Sequence, residues 1–210
     1  MRSSSQIKKS SKLIGRPPAY NRDEVIEGAL RVFHRKGFAS TSLDDLVEAT
    51  GVNRPSLYIG FGNKEQIYLL ALDRFRESIA VKLGAALRSR GKSDSAANAV
   101  KRYFNQIVKI YTGNSTQALG CAVFCTAVAE TANHNVIRDK LAENIEFLDK
   151  VFETFLLKAR EAGKLQSKVD CVDTAQLLIA AQHSLALRAR AGQSRNKLQK
   201  LVDATVRLVG

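Results

Sequence analysis

Apolar residues recur along this chain at three- and four-residue intervals, broken by glycines. Val25, Ile26, Ala29, Leu30 and Phe33 form one such stripe, the spacing of an amphipathic helix. Asn21 precedes it as an N-cap with Glu24 three residues on, Tyr20 and Val25 flank that cap as a hydrophobic staple, and Gly37 supplies a stop. The pattern predicts a helix over 22–36. Ser42 and Asp45 repeat the cap pair ahead of a helix over 43–49, which Gly51 ends. A short helix over 53–59 follows, with Pro55 in its first turn, where no N–H is needed. A long helix opens at Asn63, carries Ile67, Leu70, Ala71, Phe75 and Ile79 on one side, and fades between Gly84 and Gly91. Helices over 94–112, 117–131, 135–162, 170–191 and 194–208 complete the chain. No segment alternates with period two between turn signals, so the fold class is all-α.

Composition narrows what these helices do. With 210 residues and 45% hydrophobic content the chain builds a genuine core. Lys plus Arg number 33 against 20 Asp plus Glu, a formal charge of +13, which points to a polyanion: DNA, RNA or an anionic membrane. No run of ~18 apolar residues exists to span a bilayer, so the expectation is no membrane. Three cysteines, widely spread, form no disulfide framework and suit a reducing, cytoplasmic setting. His34, His134 and His183 stand far apart and no Cys-x-x-Cys occurs, so no metal site is expected. No phosphate-binding glycine loop or nucleophile motif is present. The expectation is therefore no cofactor, no catalytic residues and no enzyme.

The first 19 residues are a basic arm with no acidic residue. Within it, Gly15-Arg16-Pro17-Pro18 is similar to the centre of an AT-hook, which lays an arginine (here Arg16) into a narrow minor groove. It reads equally as a flexible tail with a proline stop.

The two short helices joined by Thr50-Gly51-Val52 form a helix-turn-helix pattern. The run from Gly37 through Ser42-Leu43-Asp44-Asp45-Leu46, Thr50-Gly51-Val52-Asn53-Arg54-Pro55-Ser56-Leu57-Tyr58, then Phe61 and Lys64-Glu65, resembles the DNA-binding domain of the TetR/AcrR family of bacterial transcriptional regulators. It departs from the family at Pro55, at Ile59-Gly60, where an aromatic or histidine pair is usual, and at Gly62. The resemblance implies a basic arm over 1–19, a three-helix DNA-binding domain over 20–66 and a larger helical ligand-sensing and dimerisation domain over 67–210. It implies a homodimer on a palindromic double-stranded operator, acting as a repressor released by a small apolar or reactive effector. The recognition helix then enters the major groove, where all four base pairs differ. Arg54 is the candidate guanine reader. Asn53 and Ser56 are candidate base or phosphate contacts, Ser42 and Pro55 are further candidate DNA contacts, and Thr41, Tyr58 and Lys64 are candidate phosphate contacts. Two further readings stay open: a basic protein that coats DNA without sequence preference, and a helical enzyme or carrier.

One recognition helix reads few base pairs, so specificity needs two copies. The last two helices offer the dimer surface, through Val172, Ala175, Leu178, Ile179, Gln182, Leu185 and Ala186 and through Leu198, Leu201, Val202, Thr205 and Leu208. The same stripes fit an intramolecular core. Tyr103, Phe104, Ile107, Tyr111, Phe124, Cys125 and Phe147 are candidate linings of an effector cavity, or simply core. Gly120-Cys121 is similar to a subset of the family in which the cysteine senses oxidants or electrophiles. In a helix opening near Gln117, Cys121 falls in the first turn, where the helix dipole lowers a thiol pKa. The alternative is that Cys121 and Cys125 are small buried hydrophobes.

Overall fold

A computed structural model of the protein describes residues 20–113 and 117–210; the Arg16 expectation lies outside the described residues. These form nine α-helices and one short 3₁₀ turn: α1 Arg22–Lys36, α2 Leu43–Thr50, α3 Arg54–Phe61, α4 Lys64–Leu87, α5 Ala96–Thr112, α6 Ala122–Ala127, the turn Val128–Glu130, α7 Asn135–Glu161, α8 Cys171–Arg190 and α9 Arg195–Val206. No strand occurs among the described residues.

The N-terminal head assembles from its caps inward. Asn21 accepts from the Asp23 N–H at 3.0 Å, and Ser42 and Asp45 form a reciprocal capping box, as do Asn63 and Gln66. Asn53 accepts from the Ser56 N–H at 3.0 Å. These bonds satisfy donors that each helix start leaves free. Val25, Ala29, Phe33, Phe38, Leu46, Leu57, Phe61, Ile67 and Tyr68 then close one apolar core. Helix α1 lies tight on α2: a Cβ at Gly28 would stand 2.8 Å from the Ala49 carbonyl oxygen.

Helix α4, 24 residues long and so ~36 Å, runs from the head into the body without a break. The boundary expected between residues 66 and 67 falls inside its first turn. Its far end is tied down by Arg102, which donates to the Ala86 and Arg88 carbonyls at 3.1 and 3.0 Å and grips Asp94 with two bonds. Helix α5 lies at the centre of the body, where Tyr103 meets Phe152 edge-on at 4.8 Å and Phe104 lies fully buried.

Two expectations change here. The helix expected over 117–131 begins only at Ala122 and lasts six residues. Gly120, at φ +70° and where a Cβ would collide with the Ala186 carbonyl, turns the chain just before it. Cys121 is therefore the N-cap, outside the first turn. The α8 stripe expected at the dimer surface lies in the protomer's own core: Ala175, Leu178, Ile179, Gln182, Leu185 and Ala186 are all buried, as are Leu198, Val202 and Thr205 on α9. These residues pack against α5 and α7 as well as each other. The apolar side chains left exposed are Val172, Leu177, Leu187 and Leu208.

Candidate nucleic-acid interface and effector cavity

Helix α3 divides cleanly. Leu57 and Phe61 point into the head, while Tyr58 is 46% and Ile59 87% exposed. Arg54 opens the helix, and its guanidinium, 53% exposed, donates from Nε and Nη2 to Asp44 Oδ1 at 3.2 and 2.6 Å. That bond raises the Arg54 pKa above its ordinary value. An exposed pair of this kind holds weakly, so Arg54 can exchange Asp44 for another acceptor. Asn53 spends its side-chain oxygen on the cap and keeps its amide donors. Pro55 stiffens the first turn in the open, and Ser56 is half-buried.

The departures at Ile59-Gly60 have a local cause. A Cβ at Gly60 would collide with the Tyr20 hydroxyl, and Arg22 reaches across to donate to the Gly60 carbonyl at 2.6 Å. The Arg22 guanidinium also lies 4.5 Å over the Phe61 ring. Tyr20 and Arg22 thus cover the end of α3, and a side chain at position 60 would have to displace the Tyr20 hydroxyl.

Several expected phosphate contacts lie elsewhere. Thr41 is 1% exposed and donates to the Gly37 carbonyl at 2.6 Å, so its hydroxyl does not face outward. Ser42 is exposed, but its N–H is already bonded by Asp45 Oδ2 at 2.9 Å, and Asp44 and Asp45 make that helix start acidic. Lys64 is turned inward, with Nζ 4.5 Å over the Phe38 ring and 3.4 Å from the Ala39 carbonyl; burial lowers its pKa.

In the body, a cavity of about 250 Å³ opens between the second half of α4 and α7. Tyr103, Tyr111 and Phe147 of the expected residues line it, with Cys121, Asn144, Gln182, Phe75, Ile79 and Leu83. Phe104, Ile107, Phe124 and Cys125 do not. Phe104 and Ile107 are sealed in the core, Phe124 stacks on His183 at 4.0 Å, and the Cys125 sulfur packs beside Gly120. Burial dominates at Cys121 and pushes its thiol up to about 11; Cys125 is raised for the same reason. The lowered pKa expected at Cys121 is thus reversed, because six residues of α6 contribute less than desolvation removes.

A junction joins cavity and head. Arg190, at the end of α8, donates from Nη1 to the His34 and Leu119 carbonyls, both at 3.0 Å, and from Nη2 to the Arg35 carbonyl at 3.4 Å. His34 Nε2 donates to the Gly120 carbonyl at 3.2 Å, and its ring meets Phe75 edge-on at 5.6 Å. The last turn of α1, the loop before Cys121 and a cavity wall are therefore one bonded unit. Further contacts run alongside: Glu130 accepts from the Ala39 N–H at 3.3 Å, His134 pairs with Glu65 at 2.8 Å, and Tyr68 and Thr126 share a 2.5 Å bond. Neither Arg22 nor Arg190 is flagged by the sequence pattern, because their partners are main-chain carbonyls distant along the chain. The histidine–glutamate and arginine–carbonyl links hold no metal geometry, and no group of three or more His, Cys, Asp or Glu gathers among the described residues. No described helix is long and apolar enough to cross a membrane.

Two family models match the chain. Residues 25–71 match "Bacterial regulatory proteins, tetR family", and residues 96–205 match "Tetracyclin repressor-like, C-terminal domain". The chain is 31% identical to the HTH-type transcriptional repressor ComR of Escherichia coli (strain K12) over 98% of its own length and 95% of that protein's. It is 26% identical to the repressor BdcR of the same strain, over 76% of this chain and 89% of that one. Among solved structures, a cysteine mutant of the TetR family regulator CifR, complexed with 26-bp double-strand operator DNA, superposes with a TM-score of 0.82 at 26% identity, covering 91% of this chain and 98% of that one.

Two measurements probe the junction. Burial holds the His34 pKa down to about 4, from 6.5, so the folded protein keeps the ring neutral where the unfolded chain protonates it. Stability is then full above pH 6.5 and falls as pH drops toward 4, by about 3 kcal/mol from this group. Thermal melts across that window should show a smaller fall for His34→Gln than for the wild type; parallel curves would contradict the assignment. For Arg190→Met, amide hydrogen exchange should speed up at the end of α1 and over residues 118–121, with α5 still protected. Unchanged exchange there would mean the arginine holds nothing together.

Proposed function

The chain belongs to the TetR family of bacterial regulatory proteins, and from that premise we propose that it is a homodimeric transcriptional repressor. It binds a palindromic double-stranded operator through α3, and occupation of the body cavity by a small molecule releases it. The observation that carries this reading is the division of α3: Leu57 and Phe61 anchor it while Arg54, Tyr58 and Ile59 face outward. In a major groove, Arg54 trades one exposed carboxylate for the O6 and N7 acceptors of guanine. Tyr58, one turn on, reaches a phosphate or a base edge, the amide of Asn53 donates beside it, and Ile59 offers apolar contact to a thymine methyl.

Two copies are brought together by the exposed side of α8 and the end of α9. Leu177, Ala180, Ser184 and Leu187 follow helical spacing along one side of α8, and Leu208 is exposed just beyond α9. Packing that face on a second protomer sets two α3 helices about 34 Å apart, one turn of duplex. The cavity's walls and the raised Cys121 thiol support a reversibly bound effector over an oxidised cysteine. Effector binding changes operator affinity by its differential affinity for the two head spacings. The protein acts by binding and not by turnover, and it works in the cytoplasm where its operator lies.

Arg54→Ala is expected to weaken binding to the protein's own operator by about 1–3 kcal/mol, with a much smaller change on random duplex. Fluorescence anisotropy at one fixed salt concentration, with both duplexes, measures this. Equal losses on the two would remove the base-reading role and favour a sequence-blind DNA-coating protein.

A further inference from the structure

This inference rests on the effector reading above and narrows the chemistry of that cavity. Its exposed rim is apolar, with Phe147 53% exposed beside Leu148 and Val151. Its deep end is formed by Tyr103, Tyr111, Cys121, Asn144 and Gln182, every one of them buried. The one charged lining residue, Arg76, is at the rim and already engaged: its guanidinium stands 5.2 Å from the Phe147 ring centroid and bonds Asp73 at 3.4 Å. An ionised ligand would find no free opposite charge inside, and burying it would be costly.

The polar groups at the deep end are unequally occupied. The Tyr103 hydroxyl donates to Gln182 Oε1 at 2.8 Å, which occupies one of that oxygen's two lone pairs and leaves the glutamine's amide donors. The Cys121 sulfur accepts from the Phe124 N–H at 3.5 Å. The Tyr111 hydroxyl is buried beside Cys121 and Gln182 and makes no hydrogen bond of ordinary geometry. A sealed phenol without a partner is destabilising, and a ligand that supplies an acceptor recovers what is lost. The Tyr111 hydroxyl is therefore a buried donor that a ligand acceptor would satisfy, and a basic amine would bring a charge instead. A carbonyl oxygen brings two lone pairs and no proton.

We propose that the cavity selects a small neutral molecule with an apolar body and a carbonyl oxygen, the oxygen taking a hydrogen bond from the Tyr111 hydroxyl at the buried end. The test is calorimetric titration of wild type and Tyr111→Phe with two matched pairs, acetophenone against ethylbenzene and 4-ethylcyclohexanone against ethylcyclohexane. Operator binding and thermal melting of both proteins are recorded alongside. In the wild type each ketone should bind about tenfold more tightly than its hydrocarbon. Tyr111→Phe should lose most of that preference while leaving hydrocarbon affinity, melting temperature and operator binding in place. Equal ketone affinity in the two proteins, or hydrocarbons binding as tightly as ketones in the wild type, would overturn the proposal and leave the repressor reading standing. No binding by any probe would overturn it as well. Failure of the wild type to bind its operator would sink the repressor reading itself, whatever the cavity does. If Tyr111→Phe melts early, Tyr111→Met is titrated in its place, with the same loss of ketone preference expected and an unchanged preference overturning the proposal.

Discussion

An eight-residue helix does not hold its shape alone in water, and α3 has only eight residues. Everything that lets this protein present a defined face to a duplex follows from how that helix is kept in place. Leu57 and Phe61 tether it from beneath, Asn53 caps its start, and Tyr20 and Arg22 close over its end at Gly60 and Phe61. Because the inward side carries the packing, the outward side is free to carry recognition. Arg54 rests there on Asp44 in an exposed pair that is cheap to break. The same economy requires a partner protomer, since so short a rod spans only a few base pairs.

The head is joined to the body through stiff parts. Helix α4 belongs to both, with Tyr68 in the head core and Phe75, Ile79 and Leu83 on the cavity wall. Arg190 fastens the other side, gathering carbonyls from α1 and from the loop that leads to Cys121. A molecule that pushes α4 and α7 apart must either stretch these bonds or carry α1 with it. Close-packed elements with few alternative arrangements turn small displacements into discrete ones. Cys121 stands between that loop and the cavity as the N-cap of α6, and burial pushes its thiol pKa up.

Much of this was legible from residue order because its causes are local. The bounds of α1 follow from Asn21 and Gly37, and the start of α3 from Asn53 and Pro55, all of which act on their near neighbours, while α3, expected to end at 59, runs on to Phe61. The family resemblance lay in the same stretch. What escaped was set by distant contacts. Lys64 looks like a phosphate ligand until Phe38 attracts it. On α8 the period of the apolar residues was right and the partner wrong: a stripe of 3.6 periodicity fits a protomer's own core as well as a second chain. The start of α6 was misplaced because the turn at Gly120 has no room for a side chain beside the Ala186 carbonyl, 66 positions along. Arg190 carries no local signal at all.

The central claim is that two outward α3 helices, held at a fixed separation, read bases. Selection of bound duplexes from a fully random pool by the intact protein tests it most directly. The account predicts enrichment of an inverted repeat whose half-sites are centred about one helical turn apart, with guanine prominent in each half. Recovery of duplexes with no shared sequence, or of a single unrepeated half-site, would contradict it.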